Sequence, residues 1–241
     1  MPAGERKEPA MTMESEHTDQ IPTAEPAVSL HRYRLEYARG PEMRYVGHLD
    51  TQLVWERTMR RARLPVAFTQ GFSPRPRFHM ASALPLGFTS RCELCDLWLN
   101  EPLDAEDLRE KLQKAAPPGL VLNSVTEIPL TLPALQTRVI SAEYNALLLE
   151  LPLGFDLEGV LQHLLEATAL PRTRRDKTYD LRPLIEDLRL HELAPDKGSA
   201  LITMRLAARE GSTGRPDEVI SALGLEPVAA RVERTKFILT E

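Results

Sequence analysis

Arginine and aromatic side chains that could contact a polyanion are concentrated between residues 31 and 91. This stretch contains eleven arginines, no lysine and four acidic residues, a local excess of seven positive charges in a chain whose formal net charge is −5. Arginine presents a planar fork that forms paired hydrogen bonds with phosphate or carboxylate groups. The pattern therefore predicts a surface for an anionic partner, and the alternative is a basic face that balances acidic faces elsewhere.

A helix and a loop carry most of these side chains. Arg57, Arg60 and Arg61 are spaced i, i+3, i+4 in a predicted helix of residues 47–63, so they share one face. The segment 69–79 then interleaves phenylalanine with arginine, as proteins do when they stack bases and contact phosphates of single strands. The alternative is a proline-stiffened loop that buries its phenylalanines. The candidate nucleic-acid-binding residues here are Arg44, Arg57, Arg60, Arg61, Gln70, Phe72, Arg75 and Arg77.

A second basic cluster lies in the later part of the chain. It comprises Arg172, Arg174, Arg175 and Lys177. In a strand, alternate residues point to opposite faces, so such a strand cannot be buried on both sides. The cluster predicts either a second phosphate-contacting surface or an edge strand protected by charge.

His48 and Asp50 are the candidate catalytic residues. They flank the start of the predicted helix, where either side chain could cap free backbone N–H groups. The alternative is a general acid–base or phosphate-contacting role beside Arg57. No P-loop, dinucleotide fingerprint or nucleophile elbow is present, so the pattern favours a binding protein over a self-contained enzyme and predicts no cofactor.

Cys92 and Cys95 form a C-x-x-C pair inside a predicted strand. Residues i and i+3 of a strand point to opposite faces, so the two thiols could not clamp one metal ion. A structural zinc site also needs four ligands, and no second pair exists. We expect core residues and no metal site.

Hydrophobic periodicity predicts a repeated order of strands and helices, and these elements carry the candidate site residues. The first half reads strand, helix, strand, strand, helix, strand, and this order repeats after a proline-containing connector at residues 129–133. Residues 172–192 of the second half are ambiguous, since Leu181 to Leu190 could be a short helix followed by a strand. We therefore expect an α+β fold of two consecutive ferredoxin-like (βαββαβ) domains with antiparallel sheets. The expected divisions are a disordered N-terminal tail at 1–29, a domain with the Arg-rich helix and loop at 30–130, and a second domain at 131–241. A short strand is also expected at residues 43–46.

Composition sets the expected environment of the protein. No segment approaches the roughly 18 consecutive apolar residues of a membrane-spanning helix. The first thirty residues lack the positive-then-apolar pattern of a secretory signal, and two cysteines cannot form a disulfide framework. We expect a cytoplasmic protein without membrane contact.

Five linked motifs resemble those of the radical-SAM-linked proteins, a bacterial family with a domain of unknown function. They are Arg44–Asp50, Arg57–Pro65, Thr69–Pro76, Leu84–Gly87 and Tyr179–Pro183. The resemblance implies a radical SAM protein as partner. It supports the hypothesis of an accessory protein that acts with a radical SAM enzyme and binds RNA through the Arg-rich surface. Two alternatives remain open: an RNA-modifying or RNA-processing enzyme that uses His48 and Asp50, and a protein–protein docking module without RNA contact.

Overall fold

A computed structural model describes residues 29–174 and 176–240. The strands are β1 (His31–Arg39), β2 (Phe78–Met80), β3 (Thr89–Leu99), β4 (Leu120–Ile128), β5 (Val139–Leu148), β6 (Pro171–Arg174), β7 (Lys177–Asp180), β8 (Ile185–Ala194), β9 (Ser199–Arg209), β10 (Ser212–Thr213) and β11 (Ala230–Leu239). The α-helices are α1 (His48–Arg61), α2 (Ala105–Ala115), α3 (Leu135–Arg138), α4 (Leu157–Glu166) and α5 (Pro216–Ala222). Apart from Ser29, the tail expected to be disordered lies outside the described residues. Within the described part, no helix is long and apolar enough to span a membrane.

Nine strands form one sheet at the centre of the molecule. In the first half the strand order is β2-β3-β1-β4, and in the second half it is β8-β9-β5-β11, with every neighbouring pair antiparallel. The two sets join where β11 runs parallel to the start of β3, with Glu233 opposite Thr89 and Arg234 opposite Ser90. The expected α+β class with mostly antiparallel strands is thus confirmed, but the two halves share one sheet instead of forming separate sheets.

Helix α1 is held on the sheet by a narrow buried face. Thr51, Trp55, Thr58 and Met59 recur at helical spacing on that face and are buried. The Trp55 ring packs edge-on against Tyr37 of β1, with the ring centroids 4.9 Å apart. Since this face is fixed, Leu53, Arg57 and Arg60 lie on the exposed side of the helix.

The strand expected at residues 43–46 is wrong. A 3-10 turn spans Pro41–Met43 instead, and the Gly40 N–H donates to the Gly119 carbonyl at 2.8 Å. The Arg39 guanidinium donates to the carbonyls of Met43 and Val46 at 3.0 and 2.7 Å. These bonds satisfy backbone groups that a strand partner would otherwise have to satisfy.

Two hydrophobic cores lie under the helices. The first is built from residues 33–122, and the second is built mainly from residues 135–237. The second core also takes Ala81, Leu84, Phe88 and Cys92 from the first half, whereas Cys95 belongs to the first core. The two cysteines therefore pack in separate cores.

The segment 172–192, which is ambiguous in the sequence, begins within a separate hairpin, and Leu181–Leu190 contains a 3-10 turn at Arg182–Leu184 followed by β8. Strands β6 and β7 pair only with each other, and β8 follows them to join the edge of the main sheet. Helix α4 precedes the hairpin, and the Asp156 carboxylate caps it by accepting from the Gly159 N–H at 3.0 Å.

Candidate nucleic-acid interface

A cleft of about 550 Å³ runs beside the C-terminal half of α1. Arg57, Arg60 and Arg63 line its helical side, and Phe68 and Pro76 line the other. We call this the α1 cleft. The Phe68 side chain is 53% exposed and so presents an aromatic ring to this cleft.

Local geometry explains why these arginines face solvent. Residues 55, 58 and 59 occupy the buried face of α1, which leaves Arg57 and Arg60 on the outer face. The helix ends at Arg61, and Arg63 adopts a left-handed conformation with φ of 53° that turns the chain back along the helix. Val66 then bridges to Leu99 at the edge of the sheet, and Phe68 bridges to Pro76. These two bridges fix Phe68 and Pro76, which form the wall of the cleft opposite the helix.

The cleft carries an excess of positive charge, because Arg57, Arg60 and Arg63 line it together with one acidic residue, Glu56. Among the described residues, no carboxylate lies within ion-pairing distance of Arg57, Arg60 or Arg63. Glu56 is the acidic residue that lines the cleft, and its carboxylate accepts a long 3.5 Å bond from the Gln52 amide. The arrangement offers three guanidinium groups and an aromatic ring to an anionic ligand.

Arg61 is exposed on α1 but is not among the residues that line the cleft. Its guanidinium lies 3.5 Å from the Thr58 hydroxyl. Arg63 and Phe68 were not predicted from the sequence. Arg63 could have been found, because it continues the same basic run, whereas the exposure of Phe68 depends on the bridge to Pro76.

Gln70, Phe72 and Arg75 lie on an exposed loop beyond the cleft. The loop is closed at its base by Thr69, whose N–H donates to the Arg75 carbonyl at 2.8 Å and whose hydroxyl accepts from the Arg75 N–H at 3.0 Å. Phe72 is fully exposed, while Phe78 after the loop is buried against Trp55. The alternative of a loop that buries its phenylalanines holds for Phe78 and is wrong for Phe72.

Arg44 and Arg77 make structural contacts away from the α1 cleft. The Arg44 guanidinium donates twice to the Gly87 carbonyl, at 3.2 and 3.0 Å, and so ties the start of α1 to the loop before β3. The Arg77 guanidinium lies 5.0 Å from the centre of the buried Trp98 ring. Both side chains therefore have partners within the protein.

His48 and Asp50 are exposed at the first turn of α1. Gly47 occupies the N-cap position, and α1 has no side-chain hydrogen bond at its cap, so the expected capping role is wrong. Partial burial lowers the pKa of His48, and the Arg39 guanidinium lowers it further against an opposing effect of Glu93. Neither residue lines the α1 cleft, and neither do Gln70 and Arg75. Arg57 thus lines a cleft that the candidate catalytic residues His48 and Asp50 do not line.

A buried ionic cluster that the sequence did not reveal lies at the junction of β3 and β11. The Arg234 guanidinium donates to Glu93 at 2.7 Å and to the Ala83 carbonyl at 2.8 Å. Burial opposes ionisation of Arg234, but Glu93 and Tyr144 more than offset this and its pKa is raised. Desolvation by burial lowers the pKa of the neighbouring Arg39, whose Nε atom is buried without a partner. The cluster joins the two halves.

The second predicted basic cluster maps to the β6–β7 hairpin. Arg174 and Lys177 are exposed, and they line a cleft of about 710 Å³ together with Arg215. Arg172 lies on the same hairpin, where its guanidinium donates to the Pro171 carbonyl at 3.2 Å. Arg175 lies outside the described residues. The hairpin is thus a cationic surface distinct from the α1 cleft.

No candidate metal site is found among the residues that the structure describes. Residues 29–174 and 176–240 contain no group of three His, Cys, Asp or Glu side chains that could hold an ion. Desolvation by burial raises the pKa of Cys92 to about 12, and burial likewise raises that of Cys95. Buried neutral thiols of this kind are inert packing groups.

One protein-family model matches most of the chain. Residues 32–216 match the model of DUF2344, described as an "Uncharacterized protein conserved in bacteria". The chain belongs to this family. The match runs through both halves, and it includes the α1 cleft and the β6–β7 hairpin.

Other comparisons add little. No curated protein matches the chain. Among solved structures, it is similar to a chain in "Crystal Structure of a Cbf5-Nop10-Gar1 Complex", with 11% identity and a TM-score of 0.45 over 86% of this chain and 48% of that one. The chain thus spans about half the length of that protein. At this TM-score the similarity is no basis for assigning a fold or a function.

Proposed function

We propose that this DUF2344 protein binds RNA through the α1 cleft. The observation that supports the proposal is that Arg57, Arg60 and Arg63 face solvent without a carboxylate partner and lie opposite the exposed Phe68 ring. Arginine suits phosphate, and an exposed ring suits an unpaired base.

We further propose that each half is a ferredoxin-like unit. The first half has the order βαββαβ, and the second half has the same order with the β6–β7 hairpin and the two-residue β10 added. Each half places its last strand beside its first, as in β4-β1-β3-β2 and β11-β5-β9-β8. A ferredoxin-like fold does not determine function, so the proposed fold of each half is independent of the proposed RNA binding.

The accessory role with a radical SAM enzyme is also a proposal. It depends on the sequence resemblance at Arg44–Asp50 and the four other motifs. In this hypothesis the protein presents RNA to a separate enzyme that carries the chemistry. Co-purification of a radical SAM protein that survives nuclease treatment would support direct contact between the two proteins.

RNA binding is tested by fluorescence anisotropy with a labelled mixed-sequence single-stranded RNA of about 16 nucleotides, the upper end of common single-strand site sizes. The Arg57→Ala/Arg60→Ala variant should bind at least roughly tenfold more weakly than the wild type. For this variant, the slope of the logarithm of the binding constant against the logarithm of the salt concentration should be shallower by about 1.4. Each lost phosphate contact removes about 0.7 from that slope.

The matched control is Lys111→Ala/Lys114→Ala, which removes two exposed cations from α2. It should bind like the wild type. Equal affinity of the α1 variant and this control would contradict the proposal, as would absence of wild-type binding at low salt.

A second candidate function is an RNA-modifying enzyme. The observation that favours it is that His48 is exposed, does not cap α1 and has a lowered pKa, which keeps its imidazole neutral as a general base requires. His48→Gln should then abolish a modification detected by mass spectrometry of RNA from cells while leaving RNA affinity unchanged. An unchanged modification profile would rule out this role for His48.

A further inference from the structure

The cleft beside the β6–β7 hairpin has the chemistry of a phosphate site. It lies between the hairpin and the turn that joins β9 to β10, and its volume is about 710 Å³. Arg174, Lys177 and Arg215 supply cations, and Ser212 supplies a hydroxyl group, whereas the Thr213 hydroxyl donates to the Arg209 carbonyl at 3.2 Å. Cationic and hydroxyl donors together are the usual contacts to phosphate oxygens.

Two of these cations are free to bind a ligand. Among the described residues, neither Arg174 nor Lys177 has a carboxylate within ion-pairing distance. Asp180 lines the same cleft, but its carboxylate accepts from the N–H groups of Leu170 and Arg182 at 2.7 and 3.0 Å, and so closes the base of the hairpin. The cleft therefore keeps a positive excess.

Arg215 extends this surface towards the first half of the chain. Asp217 holds its guanidinium through two bonds of 3.0 and 2.7 Å, which fixes its position. Arg215 also lines a smaller cleft of about 350 Å³ at the junction of the two halves, where Arg44 and Tyr45 form the opposite side. Arg215 thus lies at the boundary of two adjoining clefts.

The outer face of α1 continues from this junction to the α1 cleft. Leu49, Leu53, Arg57 and Arg60 fall on one helical stripe, which begins four residues after Tyr45. Leu53, Arg57 and Arg60 line the α1 cleft. The hairpin and junction clefts share Arg215, and α1, which is about 21 Å long and begins three residues after Tyr45, leads from the junction to the α1 cleft. The three clefts thus follow one another along one surface.

Exposed aromatic rings occur along this surface. Tyr45 is 76% exposed at the junction, and Phe68 is 53% exposed in the α1 cleft. Rings of this kind stack on unpaired bases, which a duplex does not offer. We infer that a single-stranded RNA segment binds across both halves of the protein, from the α1 cleft to the hairpin cleft. This inference rests on the proposed RNA-binding function.

The test is a length series of labelled single-stranded RNAs of about 6, 10 and 16 nucleotides, together with a duplex of the longest length. Wild-type affinity should rise with length. The Arg174→Ala/Lys177→Ala variant should match the wild type on the shortest RNA, lose roughly tenfold on the longest, and give a salt slope shallower by about 1.4 on that RNA. Lys111→Ala/Lys114→Ala is again the control with equal charge loss.

The outcomes separate the two proposals. A hairpin variant that equals the control at every length, while Arg57→Ala/Arg60→Ala still loses affinity, would overturn the inference and leave the proposed function standing. If the α1 variant also equals the control, the proposed function fails as well. Duplex affinity equal to that for the single strand would overturn the single-strand assignment. Circular dichroism melting of each variant verifies that the fold is intact.

Discussion

Arginines in the sheet and arginines on α1 have opposite environments. Arg32 and Arg34 of β1 are largely buried and donate to one carboxylate, Asp96, with Nε–O distances of 3.1 and 2.8 Å. Arg57 and Arg60 of α1 are exposed, and no described carboxylate pairs with them. Arginine therefore forms buried ion pairs in β1, whereas the arginines of α1 remain available for a ligand.

The helix that occupies the equivalent place in the second half sharpens this contrast. Helix α4 also follows the first strand of its half, and it buries Leu157, Leu161 and Leu164. It contains neither arginine nor lysine. The basic outer face of α1 is therefore not required by the arrangement of elements, which is consistent with a binding role.

Breaking the Asp96 cluster should have the largest effect. Asp96→Asn would leave the buried Arg32 and the neighbouring Arg34 without a counter-charge, so the free energy of unfolding should fall by about 3–5 kcal/mol. Denaturant unfolding measures the change. The control Asp187→Asn removes a carboxylate from the exposed pair with Arg189 and should cost about 0–1 kcal/mol. Equal losses in the two variants would contradict the contrast.

Glu93→Gln tests the cluster that joins the two halves. The loss should be about 3 kcal/mol, at the lower end of values for a broken buried pair, since Arg234 keeps its bond to the Ala83 carbonyl. Unfolding monitored separately by Trp55 and Trp98 fluorescence and by circular dichroism should remain one transition. A loss below about 0.5 kcal/mol would show that the pair contributes little to stability.

Sequence reasoning located the elements but overstated the basic surface. The helix predicted at residues 47–63 corresponds to α1 (His48–Arg61), because helical periodicity is a local signal. The charge excess of residues 31–91 excluded Asp96, which lies just beyond that window yet pairs with Arg32 and Arg34 of the same stretch. Pairing partners 64 residues apart, as Arg32 and Asp96 are, depend on strand order and cannot be read from local composition.

The α1 cleft could be predicted only in part for the same reason. Arg57 and Arg60 were recognised, because helical spacing places them on one face. Phe68 was missed, since its position depends on the Val66 bridge to Leu99 and the Phe68 bridge to Pro76. Arg77 was included although it packs on Trp98, a contact between residues of different elements.

His48 lies between the two environments, exposed on α1 but close to the buried Arg39. Partial burial and Arg39 lower its pKa from the ordinary 6.5, so the folded protein binds the proton less readily than the unfolded chain. Its contribution to stability should therefore be complete above the unfolded pKa and decline as the pH falls through it towards the folded pKa. In the His48→Gln variant, the free energy of unfolding should therefore fall less between pH 7 and pH 5 than in the wild type, as measured by denaturant unfolding. An imidazole NMR titration with a midpoint at or above the ordinary value would contradict the prediction.

The smallest effect on stability is expected from the arginines of α1. Arg57→Ala or Arg60→Ala should change the free energy of unfolding by less than about 0.5 kcal/mol, because neither guanidinium pairs with a described carboxylate and alanine favours the helix. Arg32→Ala is the matched variant in the sheet, and it should cost several times more, since it leaves Asp96 buried beside one arginine instead of two. Denaturant unfolding of the three variants under identical conditions gives the comparison. A large loss for Arg57→Ala would mean that this side chain is structural, and the α1 cleft would then lose its main argument as a ligand surface.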